Sequence, residues 1–72
     1  MEKIIADQDL VITALNYKDG DTVTEGAEII QTEILKMMIP IHCQTSGKIQ
    51  YFVKQYDYVY TGTLMAQISS NA

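Results

Sequence analysis

The stretch Lys18-Asp19-Gly20-Asp21-Thr22-Val23-Thr24-Glu25-Gly26 returns, at an offset of 36 positions, as Lys54-Gln55-Tyr56-Asp57-Tyr58-Val59-Tyr60-Thr61-Gly62. Lys18, Asp21, Val23 and Gly26 recur as Lys54, Asp57, Val59 and Gly62, and Gln31 recurs farther on as Gln67. Ile29 is answered by Met65 and Leu15 by Tyr51. Each copy carries Asp-x-Val-x-x-Gly, which reads as one turn-strand-turn unit, because Asp and Gly favour turns and Val favours a pleated strand. The repeat predicts two halves related by a pseudo-twofold axis.

Outward from these units the pattern is strand. Leu10, Ile12 and Ala14 alternate with Val11, Thr13 and Leu15. Ile39, Ile41 and Cys43 alternate with Pro40 and His42, and Ile49, Tyr51 and Val53 follow the same two-residue period. Asp19-Gly20 is a turn signal, since Gly accepts a positive φ. Ile29 to Met38 carries some helical propensity, but Gly26 and Pro40 confine it and its β-branched content assigns it to strand. The expectation is a single all-β domain over residues 1–72, a flattened barrel or sandwich of short strands.

Between the two copies lies Glu33-Ile34-Leu35-Lys36-Met37. Under the repeat, the partner of position 36 is position 72, so Lys36 is expected at the pole opposite the termini. Hairpin tips normally hold Asn, Gly or Asp. Leu35 and Met37 beside the lysine therefore point to recognition by a partner, or to strain retained for function. No neighbouring residue in the sequence supplies a base, so Schiff-base chemistry has no support. A group on this amine must come from an activated acyl donor brought by another protein, with the lysine as the end of a flexible stem. The competing reading is an ordinary solvated lysine with Met37 and Met38 as core filler.

Composition narrows the function classes. A chain of 72 residues buries only ~60% of its unfolded surface, which leaves little room for an enclosed active site. Net charge is −4, with nine acids and five lysines or arginines, and no basic cluster that would mark nucleic-acid binding. No apolar run is long enough to insert in a membrane, and Glu2, Asp7 and Asp9 are unlike a secretory leader. The single cysteine, Cys43, rules out an internal disulfide and fits a cytoplasmic protein. His42 and Cys43 are strand neighbours expected on opposite faces, so they read as no metal site and Cys43 as a small core residue. Tyr56, Tyr58 and Tyr60 alternate and read as packing along one strand face. Ser69-Ser70-Asn71-Ala72 reads as a frayed tail.

Taken in order, the segments resemble the biotinyl/lipoyl attachment domains, and more closely the thumbless biotin carboxyl carrier type. The resemblance covers about residues 10–69. It rests on Gly20-Asp21-Thr22-Val23-Thr24-Glu25-Gly26, Glu33-Ile34-Leu35-Lys36-Met37, Met38-Ile39-Pro40-Ile41, Ser46-Gly47-Lys48-Ile49 and Asp57-Tyr58-Val59-Tyr60-Thr61-Gly62. It implies two four-stranded antiparallel sheets with the modified lysine on a tight hairpin. It also implies a non-catalytic carrier in which Lys36 holds covalent biotin, while Leu35, Met37 and Glu33 serve ligase recognition and presentation. The implied partners are a biotin protein ligase and the biotin carboxylase and carboxyltransferase components of a biotin-dependent carboxylase such as acetyl-CoA carboxylase. Met37 follows the Met-Lys-Met pattern of biotinyl domains rather than the Asp-Lys-Ala of lipoyl domains. The alternatives are a lipoyl carrier of a 2-oxo acid dehydrogenase or glycine-cleavage system, and an unmodified structural or binding module. The chain departs from the family pattern at Ile34, where a small residue is usual, and at Leu35, where Met is usual. It departs again at Met38, at Tyr56, where a turn Gly is usual, and at Val11.

Overall fold

The computed structural model describes residues 1–70. Eight strands follow in order: β1 (Glu2–Ile5), β2 (Leu10–Leu15), β3 (Thr22–Val23), β4 (Glu28–Ile34), β5 (Met37–His42), β6 (Gly47–Tyr51), β7 (Tyr58–Val59) and β8 (Leu64–Ser69). They form two four-stranded sheets, ordered β1-β8-β6-β3 and β5-β4-β2-β7, with every pairing antiparallel. Advancing the chain by 36 positions carries β2, β3 and β4 onto β6, β7 and β8. The two sheet orders then correspond strand for strand, with β5 matched to β1. The all-β sandwich and its pseudo-twofold are therefore as the repeat predicts.

The physical content of Asp-x-Val-x-x-Gly is visible in both copies. Lys18 N–H donates to the Asp21 carboxylate at 2.9 Å, and Lys54 N–H donates to the Asp57 carboxylate at 2.8 Å. The backbone closes the same turns, Asp21 N–H to the Lys18 carbonyl and Asp57 N–H to the Lys54 carbonyl. Val23 and Val59 are buried. Gly26 (φ 89°) and Gly62 (φ 91°) then take the left-handed conformation that returns the chain. Asp19-Gly20 does make a turn, but it carries the chain from β2 in one sheet to β3 in the other rather than folding a hairpin. The counterpart of Gly20 (φ 89°) is Tyr56, which is forced to φ 74°.

The core is a shared layer of Ile12, Ile29, Ile30, Ile49, Met65 and Ile68, closed by Val23 and Val59. Two runs break the two-residue period, Ile29-Ile30 and Met65-Ala66, each fully inward. Bulges account for both. The register of β4 against β5 shifts between Glu28 and Ile30, and that of β8 against β1 shifts opposite Ile4 and Ile5. A further bulge between Ile12 and Ala14 turns Leu15, rather than Ala14, toward the core. Thr32, buried in this apolar layer, donates its hydroxyl to the Ile39 carbonyl at 2.6 Å. Cys43 is also inward, its thiol on the Thr24 carbonyl, while His42 is exposed. Ser69 is not frayed: it ends β8 opposite Lys48, Ser70 follows it with an interaction of its own, and Asn71 and Ala72 lie outside the described residues.

Two substitutions test this account in urea unfolding. A Cβ at Gly47 would collide with the Ser69 carbonyl oxygen of the neighbouring strand, both backbone groups held in a ladder. Gly47→Ala is expected to cost about 1–3 kcal/mol. Tyr56 is exposed, so Tyr56→Gly removes a left-handed strain while losing little packing; a gain of about 0.5–1 kcal/mol is expected.

Candidate functional site

β4 and β5 are the one pair of consecutive strands, among the described residues, that lie side by side in the same sheet. Their connection is therefore the one that has to turn in two residues. Ile34 pairs with Met37, leaving Leu35 and Lys36 as the whole loop. Leu35 (φ 50°) and Lys36 (φ 66°) both take positive φ, as a type I′ turn requires. Neither is Gly, Asn or Asp, so the tip carries backbone strain of order 1 kcal/mol per residue.

The tip projects. Leu35 is 91% exposed and Met37 64% exposed, with Met38 and Lys36 also exposed. The core-filler reading of Met37 and Met38 is thus excluded. Ile34, by contrast, packs against the core and anchors the end of β4. Glu33 pairs with Met38 on the outer face of the sheet, and across β4 it pairs with Val11.

Lys36 stands at the pole expected for it. β5 runs six residues from the tip to His42, about 20 Å at ~3.3 Å per residue. At that far end the backbone N–H groups of Gln44 and Thr45 donate to the Glu2 carboxylate, and Glu2 pairs with Ile68 beside the close of β8. The molecule is 38 Å long and under 20 Å in its other two dimensions, so the hairpin and the ordered ends of the chain occupy opposite ends of a rod.

Beside the tip, the β1–β2 loop is tied to the β7–β8 turn. Asp9 accepts from the Thr61 backbone N–H at 2.8 Å and from its hydroxyl at 2.9 Å, and these bonds hold the Asp9 carboxyl below its ordinary range. The resulting shallow groove, about 710 Å³, is bordered by Lys36, Leu35, Val11, Tyr58, Asp9 and Thr61. Tyr56, Tyr58 and Tyr60 do not pack along a strand face as the alternation suggests. Only Tyr58 lies in a strand, all three are exposed, and Tyr58 and Tyr60 stack edge to face at 5.1 Å. The sequence brings out the tip; the groove beside it depends on the Asp9–Thr61 pairing, which joins positions too far apart to leave a local signal.

The profile of the biotin/lipoyl family, described as "Biotin-requiring enzyme", matches residues 3–68. The chain belongs to the biotin/lipoyl attachment family. Its members are non-catalytic carriers that bear biotin or lipoate covalently on a lysine and work with catalytic partner enzymes. No curated protein matches the sequence. Among solved structures, the chain resembles the lipoyl domain of the 2-oxoglutarate dehydrogenase complex from Azotobacter vinelandii. That match has a TM-score of 0.88 at 19% identity and covers 100% of both chains. The chain also resembles part of a single-chain, multi-domain long-chain acyl-CoA carboxylase, with a TM-score of 0.82 at 17% identity. That match covers 97% of this chain and 7% of the carboxylase. At these identities the likeness is one of fold. For this biotin/lipoyl domain the fold places one strained, two-residue hairpin at the end of the sandwich.

The Asp9 clamp makes a pH prediction. Its folded pKa is depressed, so its contribution to stability is present above the unfolded carboxylate pKa, near 4, and is lost as pH falls through the lower folded value. Glu28 behaves alike, lowered by the Asn16 and Gln31 side chains. Asp9→Ala is expected to be less stable than the parent near neutrality. The gap in urea midpoint should narrow as pH falls below about 4 and through the lower folded value; a gap independent of pH would contradict the assignment.

Proposed function

We propose that Lys36 is the attachment position and that it carries biotin. The observation that supports this most directly is the left-handed, two-residue tip, where Lys36 (φ 66°) stands beside a Leu35 that is 91% exposed. A solvated lysine needs no such turn. An apolar, strained pair is what a modifying enzyme can recognise by shape while leaving the amine at the end of its stem.

The residues fit the group. A biotin protein ligase would present the acyl carbon as an activated adenylate. The neutral Lys36 amine attacks that carbon, and the carbon–nitrogen bond forms as the acyl carbon–phosphate oxygen bond breaks. AMP leaves with the electron pair, and the nitrogen sheds a proton to give the amide. Leu35 and Met37 offer the ligase its apolar contacts, and Glu33 borders the same tip. Ile34 steadies where the tip points, because its half-buried side chain packs against the core. When attached, biotin supplies a ring nitrogen that accepts and surrenders a carboxyl group. The domain supplies a rigid mount with the lysine some 20 Å from the ordered chain ends. A tether to partner enzymes at either end would leave the hairpin free to enter biotin carboxylase and carboxyltransferase sites, raising the local concentration of the ring at both. Met37 after the lysine supports biotin over lipoate. The end-to-end likeness to a lipoyl domain supports lipoate as the second reading. The buried free thiol of Cys43 supports a cytoplasmic setting.

Intact-mass measurement after co-expression with a biotin ligase, and separately with a lipoate ligase, decides among these. One biotinyl addition that is lost in Lys36→Arg is the expected result. One lipoyl addition under the second ligase alone would select lipoate. No addition under either would leave an unmodified binding module.

A further inference from the structure

We propose that the groove beside the hairpin is a resting site for the group carried on Lys36, with the biotinyl arm folded back onto the Val11–Tyr58 face. This rests on the attachment reading above. Lys36 itself borders the groove, and so do Val11, Tyr58, Asp9 and Thr61.

Reach is sufficient. Glu33, Val11 and Tyr58 form one row across β4, β2 and β7. Two strand spacings of ~4.8 Å and the rise from Glu33 to the tip put Tyr58 roughly 14 Å from Lys36. An extended lysine with a five-carbon acyl chain is about ten single bonds, roughly 13 Å before the ring begins. The Tyr58 side chain spans the rest.

The surface also suits the chemistry of the arm. The acyl methylenes meet Val11, and the thioether of the ring meets the exposed Tyr58 ring, a favourable sulfur–aromatic contact. The Tyr58 ring meets Tyr60 edge to face, a contact that favours this orientation of the ring. At the rim, Asp9 uses Oδ1 for both bonds to Thr61. Its Oδ2 remains as an acceptor for a ring N–H, which biotin has and the dithiolane of lipoate lacks. Asp7, Asp9 and Glu33 make the rim acidic, so a neutral ring bearing N–H donors is favoured over an anionic one. Tethering makes a weak contact count. At a millimolar effective concentration, a site with an intrinsic Kd of about 1 mM is filled about half the time.

The test compares unmodified and biotinylated protein by NMR. Folding back predicts shifts at the Val11 methyls, the Tyr58 ring and the Thr61 amide, with contacts between acyl methylenes and Tyr58. It also predicts that avidin captures the biotinylated parent about twofold more slowly than biotinylated Tyr58→Ala. Tyr58 is exposed on a short edge strand, so its removal should leave core resonances unchanged; Val11→Gln on the same row gives a second variant. To separate this proposal from the attachment reading, Lys36→Cys is coupled to a biotinyl thiol reagent of matched length, with Cys43 protected by burial. That route loads the arm whether or not a ligase accepts Lys36. Shifts confined to residues 34–38 in the loaded protein, with equal avidin rates, would overturn the resting site and leave the attachment reading untouched.

Discussion

Everything in this domain depends on a reciprocal clasp. Each Asp-x-Val-x-x-Gly unit takes the chain out of one sheet, adds a two-residue edge strand to the other, and brings it back. β3 leaves β2 to edge the sheet of β6, and β7 leaves β6 to edge the sheet of β2. The Asp carboxylate fixes the exit by capping the Lys18 or Lys54 N–H, the buried Val fixes the depth, and the Gly fixes the return. With so thin a core, neither sheet could bury its inner face alone. The two clasps make each half a condition for the other.

That arrangement decides where a hairpin can occur. Because the connections through β3 and β7 cross between sheets, they use four-residue turns that Gly or an Asp cap can hold. The β4–β5 connection stays within its sheet and must reverse in two residues, so Leu35 and Lys36 both go left-handed. The pseudo-twofold then sets the opposite end of the rod aside for the chain ends. β5 is also an edge strand. Ile34 and Met37 close the turn as a hydrogen-bonded pair, so by alternation Gln31 and Pro40 face each other without ladder bonds. The missing N–H of Pro40 thus falls on the open side of the edge, where it blunts pairing with another chain next to the exposed Met37 and Met38.

What could be read from the sequence follows from how local its cause is. The clasps are local, so Asp21, Val23, Gly26 and their partners announced two related halves and a pole at Lys36. The absence of Gly at position 56 was likewise legible, and Tyr56 does adopt the strained φ of Gly20. The bulges were not legible, since Ile29-Ile30 and Met65-Ala66 look like plain apolar pairs until the opposing strand shows an offset. The tyrosines misled for a related reason. Their alternation is a strand pattern, but β7 is only two residues long at a sheet edge, so no neighbouring layer covers them. The groove was invisible because Asp9 meets Thr61 across 52 positions.

The departures at Ile34 and Leu35 belong to different physical problems, although they are adjacent. Ile34 is inward and its side chain is part of the packing that holds the end of β4. A larger residue there changes how firmly the tip is seated, and the part of it left exposed borders the groove beside the lysine. Leu35 is the reverse: it contributes almost nothing to the core and presents nearly its whole side chain beside the amine. A substitution of Met by Leu at that point exchanges one flexible apolar contact for a branched, stiffer one of similar volume. Firm seating behind the lysine offsets the left-handed strain in front of it, so the tip can hold a costly conformation without Gly. Rigidity at Ile34 and exposure at Leu35 therefore act together, the first fixing the direction of the Lys36 stem and the second marking it.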